Sequence, residues 1–166
     1  MILGMSTSTF TVMHVALSLI GICSGIIVLF GMLSANRLTG WTALFLATTV
    51  LTSVTGFFFH SGHFGPPHVV GVVSLVVLAV AILGLYVYRL VGPWRWIYVG
   101  DAVLALYLNV FVGVVQAFQK VPLLSRLAPT QSEPPFLVTQ LIVVAIFAVL
   151  GGLATMRFRP TATTPA

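Results

Sequence analysis

Apolar residues fill five long stretches of this chain, at about 10–34, 41–60, 68–90, 96–119 and 136–156. At ~1.5 Å of rise per residue, each is long enough to cross ~30 Å of hydrocarbon as a helix. The breaks at 34–40, 61–67, 91–93 and 121–135 carry glycine, proline and small polar residues, as turns require. The pattern predicts an all-α integral membrane protein. Its five transmembrane helices form a compact bundle, and residues 1–166 make one polytopic domain. The 121–135 segment contains Pro122, Pro129, Pro134 and Pro135, with Leu123 to Leu127 lying flat as a short turn.

The fourth stretch breaks the apolar pattern in a regular way. Placed ~100° apart, Trp94, Tyr98, Asp101, Asn109, Gln116, Gln119 and Lys120 fall within one arc of roughly 100°. Val103, Leu104, Leu106, Val110, Val114 and Val115 lie largely outside it. A charge or amide in hydrocarbon costs a few kcal/mol, so the arc is predicted to face other helices, a ligand or water. Asp101 is the intramembrane acid of this arc, one turn from the end of its helix.

The other stretches supply faces for it. His14, Ser18, Gly21 and Gly25 share a narrow arc of the first, and Gly21 with Gly25 forms a GxxxG pair that permits close helix approach. Thr48, Thr49, Thr52, Thr55 and Gly56 share one side of the second, expected to pack on the first and fourth. The third is nearly all Val, Leu, Ala and Ile and is expected to be the most lipid-exposed. Gly151-Gly152 offers a packing point on the fifth.

Composition fixes the class. The chain is 59% hydrophobic and 5% charged, with a mean hydropathy of +1.15. Soluble domains carry about 25% charged residues. The net charge of +5 does not signal nucleic acid, because the basic residues sit singly at the ends of apolar stretches. Arg37, Arg89, Arg95, Arg157 and Arg159 fall on one side and Lys120 and Arg126 on the other. This asymmetry predicts an outside N-terminus and a cytoplasmic C-terminus in a bacterial or organellar inner membrane. No Lys or Arg precedes Arg37, so the first stretch reads as a retained span rather than a signal peptide. The single cysteine, Cys23, has no intrachain disulfide partner.

The histidines are the most suggestive chemistry. In the predicted orientation His14, His60, His63 and His68 all come to the outer boundary, with Glu133 and Gln140. Three readings compete. The histidines are wet boundary residues; or a pair such as His14 with His60 or His68 ligates haem b; or three of them with Glu133 hold Zn or Cu. No Ser-His-Asp or Cys-His set can be assigned, so catalytic residues and an enzymatic activity are not predicted.

The sequence therefore predicts an outward-facing polar pocket walled by the first, second and fourth stretches and the 121–135 segment. Asn109, Gln116, Gln119, Lys120 and Glu133 are its candidate ligand contacts. It would bind a small molecule or ion, as a carrier, sensor or accessory subunit. A haem-binding or quinone-handling redox protein is the alternative, and a structural subunit of a larger membrane complex is another. The bilayer and the ligand are the expected partners. A second copy meeting at Gly21 and Gly25 is a further one.

Overall fold

The computed structural model describes residues 4–59 and 65–159. His60 and His63 lie outside the described residues, and so does any part they would play in a metal or haem site. The described residues contain α1 (Thr7–Leu33), α2 (Thr39–Gly56), α3 (Pro66–Ile82), a π-helical turn (Leu83–Val87), α4 (Trp94–Lys120), α5 (Pro122–Leu127) and α6 (Pro134–Arg157). They contain no strand.

Local chemistry sets the helix ends. Ser6 caps α1 by accepting the Thr9 N–H at 3.1 Å. α1 stops where Ala35 turns left-handed (φ 55°), and the Asn36 N–H reaches back to the Gly31 carbonyl at 2.8 Å. α3, α5 and α6 each begin on proline, whose missing N–H would have had no helical acceptor there. α3 ends in the π turn, where the Tyr88 N–H bonds the Leu83 carbonyl at 3.0 Å.

Four helical segments are long and apolar enough to cross a membrane: Thr7–Leu33, Pro66–Val87, Trp94–Lys120 and Pro134–Arg157. α2 has 18 residues but is not among them, because hydroxyl residues break its apolar run. Much of that polarity is masked locally. The Thr48, Thr52 and Thr55 hydroxyls donate to the carbonyls of Leu44, Thr48 and Leu51 at 2.7–2.8 Å.

α1 packs on α2, α2 on α3, α3 on α4 and α4 back on α1, while α6 covers α4 and α1 from the far side. α4 is the shared partner, and it is buried on more than its polar arc. Val103 and Leu106, outside that arc, are in the core: Val103 lies under Gly151, and Leu106 against Gly25. The main core joins Val28, Met32, Phe45, Leu78, Leu85, Val99 and Leu106, all towards the end that carries Arg37, Arg89 and Arg95. A smaller cluster of Phe118, Ala128 and Phe136 ties α4 to the α5–α6 segment at the Lys120 end. The least buried of the four long segments is α6, not α3. Ser74, Val77, Leu78 and Ala81 anchor α3 in the interior, whereas α6 turns Leu137, Leu141, Ile142 and Val149 outward.

Gly21 and Gly25 serve the inside of the chain rather than a second copy. A Cβ on Gly25 would stand 2.6 Å from Leu106 Cδ1 and 2.8 Å from the Phe45 ring. Adding that methyl overpacks the core, so Gly25→Ala should destabilise by about 1–3 kcal/mol. Gly152 has nothing within 4 Å of its Cβ position. Gly152→Ala should be neutral or stabilise by up to ~1 kcal/mol through helix propensity. Unfolding in mixed micelles against dodecyl sulfate measures both, and equal effects would refute this assignment of Gly25.

Candidate ligand cavity

One glycine, Gly21, brings polar groups together at the centre of the fold. With no side chain at Gly21, α1 approaches α2 and α4 closely. A Cβ there would meet Asn109 Nδ2 at 3.0 Å, Thr49 Oγ1 at 3.1 Å and Thr48 Oγ1 at 3.3 Å. Asn109 is 7% exposed and Thr49 is 2% exposed. The Ser18 hydroxyl donates to Asn109 Oδ1 at 2.9 Å, which fixes the amide and turns its NH₂ away from that bond. Asn109 Nδ2 and Thr49 Oγ1 have no hydrogen-bond partner within the described residues. Buried polar atoms are nearly always paired, and these two are exceptions, as is Gln140 Oε1 on α6. The neighbours of Thr49 on its helix, Thr48, Thr52 and Thr55, all bond back to backbone carbonyls instead.

Asn109 and Thr49 lie at the deep end of a cavity of about 720 Å³, with their orphan atoms turned towards Gly21 and almost wholly covered. α4 lines it from Leu108 to Lys120, a run of about 18 Å along the helix. α1 contributes Thr11, His14, Ser18 and Ile22; α2 contributes Thr49, Thr52 and Ser53; α3 contributes His68, Gly71 and Ser74. The walls between floor and mouth are mainly apolar, with Val15, Leu19, Val70, Val112 and Ala117 among them. That combination, an apolar body with a few convergent polar groups, is the usual make-up of a small-molecule site.

The mouth is aromatic and basic. Phe59 meets the His14 ring edge-on at 5.1 Å between centroids, and Phe10 packs on Phe59 at 5.2 Å. His14 Nδ1 lies 2.7 Å from Thr55 Oγ1. The single Thr55 hydroxyl hydrogen already points to the Leu51 carbonyl, so it accepts from His14 Nδ1–H. That bond leaves Nε2 as an acceptor on a ring that lines the cavity. Across the mouth, the Gly65 N–H donates to His68 Nδ1 at 3.2 Å, and Phe57 sits over His68 and Gly71. Lys120 closes the α4 side, with Gln116 and Gln119 below it.

Of the residues singled out in the sequence, Asn109, Gln116, Gln119, Lys120, His14 and His68 line this one cavity. Glu133 does not. It is the N-cap residue of α6, and its carboxylate turns back to accept from the Thr130 N–H at 3.0 Å, the Thr130 hydroxyl at 2.8 Å and the Ser132 N–H at 3.1 Å. Proline-bounded backbone places those donors nearer than the cavity. Asp101 is half-buried on α4 and makes no ion pair among the described residues. Gln140 donates to the Phe111 carbonyl at 3.3 Å, bridging α6 to α4 outside the cavity. No three His, Cys, Asp or Glu side chains gather as a metal site among the described residues. Sequence reasoning missed the α3 wall. Ser74 was its signal, a lone hydroxyl in an otherwise aliphatic helix.

Thr49→Val removes a buried hydroxyl that has no partner and keeps the shape of the side chain. It should leave stability unchanged or raise it by about 1 kcal/mol in dodecyl sulfate unfolding. A loss of more than that would show that the hydroxyl holds the fold together. For Glu133, slight desolvation acts upward, but the hydrogen bonds from Thr130 and Ser132 outweigh it and hold the carboxyl below the ordinary glutamate range. Its folded value lies below its unfolded one, so its contribution to loop order is complete above the unfolded value. It is lost as pH falls through the folded one. Carbon NMR of the Glu133 carboxyl should titrate below the ordinary range and move up in Thr130→Val. A normal midpoint in the wild type would refute this.

No family model matches this chain, and neither the curated proteins nor the solved structures include a match to it.

Proposed function

We propose that this protein is a multi-pass membrane protein whose cavity binds a small molecule, as a carrier, sensor or accessory subunit. The observation that carries this is one cavity of about 720 Å³ around which His14, His68, Gln116, Gln119 and Lys120 gather with aliphatic side chains from four helices. Helix packing alone does not account for this gathering of polar side chains around one open space. Polar side chains that glue membrane helices find partners across the interface, as Ser18 does with Asn109. Gln116, Gln119 and Lys120 make no such bond among the described residues, and all three are exposed where they line the cavity.

In this reading α2 is a fifth span, with Thr48, Thr52 and Thr55 tolerated in the bilayer because their hydroxyls are satisfied along the helix and Thr49 sheltered in the interior. The arginine end, with exposed Trp41, Trp96, Tyr86 and Tyr88, is the cytoplasmic interface, and the cavity opens on the opposite side.

Native mass spectrometry of the protein released from its own membrane in mild detergent tests the reading. The wild type should carry a bound small molecule. Val112→Trp, which puts an indole into the chamber, should lose it while keeping its helical circular dichroism. Identical adduct patterns in the two proteins would overturn the proposal.

A further inference from the structure

Asp101 is the one acid inside an apolar helix of this chain, and nothing in the protein answers it. It lies seven residues, about 10 Å, in from the Trp94 end of α4. Its carboxylate has neither a hydrogen bond nor a cation in ion-pair range among the described residues. Arg95, the base nearest in sequence, lies over the Trp96 ring instead, 5.6 Å from its centroid. The surface beside Asp101 is the open strip on this half of α4. Trp96, Ile97, Gly100 and Leu104 are exposed there, and from Ala105 to Val115 no residue of the helix is. Ile97 and Leu104 sit one turn to either side of Asp101, and a Cβ on Gly100 would meet nothing within 4 Å. A carboxylate beside lipid-facing side chains is costly, and ionisable groups in spans almost always pair or line a path.

We infer that Ile97, Gly100 and Leu104 form a docking face for a membrane-spanning helix of another protein, one that carries an arginine or lysine at the level of Asp101. This rests on α4 spanning the bilayer and not on what the cavity holds. Gly100 supplies the close approach, because a helix backbone can lie against a position with no side chain. Asp101 supplies the choice of partner, because a base on the incoming helix neutralises it and a guanidinium can bond both its oxygens. A second copy of this chain does not fit. Seven residues in from the same end, its other helices carry Ile26, Leu46, Val80 and Leu150, and α4 carries Asp101 again. All seven bases of the chain stand within two residues of a helix end or between helices. A copy in the same orientation therefore offers aliphatic side chains or a like charge at this level.

Two synthetic Leu-Ala helices test this, each long enough to span and each dansylated at one end. One carries a single arginine about two turns in from the dansyl group, and the other carries leucine there. Binding is read in phosphatidylcholine vesicles as energy transfer from the protein's own tryptophans, which all lie at the end where Asp101 sits. The wild type should bind the arginine helix about tenfold more tightly than the leucine helix, the worth of one charge-assisted pair. Asp101→Asn should abolish that preference and leave the leucine helix as it was. Gly100→Leu should weaken both, and Val112→Trp should change neither. Equal binding of the two helices by the wild type would overturn the inference. So would a preference that survives Asp101→Asn, binding that ignores Gly100→Leu, or no saturable transfer with either helix. A native adduct that Val112→Trp removes, found together with any of those results, would leave the cavity's binding role standing and reject only this docking face.

Discussion

The close approach of α1 to α2 and α4 at Gly21 and Gly25 is the constraint on which the rest depends. Two missing side chains let three helix backbones come together in one layer. Below that layer Leu106 and Phe45 close on Gly25 and continue into the main core. Above it the same helices, with α3, surround open space. The contact is thus both the top of the hydrophobic core and the floor of the chamber. It also explains why amide and hydroxyl groups are found so deep. They face the gap that Gly21 leaves, and Ser18 bonds the Asn109 amide oxygen there.

α4 serves both halves. On one side its Asn109, Gln116 and Lys120 line the chamber. On the other Val103 and Phe118 meet α6 and its neighbours. A helix with this many partners has little lipid-facing surface left, and its mixed composition follows. α6, which covers it from one side only, is correspondingly uniform in its apolar exterior.

Much of this arrangement was readable from residue order. Helix class, the rough position of each segment and the polar arc of α4 all follow from periodicity, since a costly group must recur at helical spacing to share a shelter. What periodicity does not encode is which neighbour supplies the shelter. α3 lines the chamber because Gly71 admits the Phe57 ring at 2.9 Å from its Cβ position and Ser74 turns inward, facts of pairing rather than of pattern. Glu133 looked like a chamber residue only because it lies near Lys120 in the outer layer. Its local donors at Thr130 and Ser132 are closer and claim it. The GxxxG pair was legible as a contact but not as to partner, because the spacing is the same whether the second helix belongs to this chain or another.

The link between α3 and α4 is stiff. The π turn, the left-handed Arg89 and Leu90 (φ 49° and 62°), the Leu90 N–H bonded to the Gly84 carbonyl and the flat stack of Tyr88 on Trp94 at 3.8 Å pin these two helices together. The four walls therefore behave like the staves of a basket woven shut at its base. Any breathing of the walls is hinged at that base, far from the mouth.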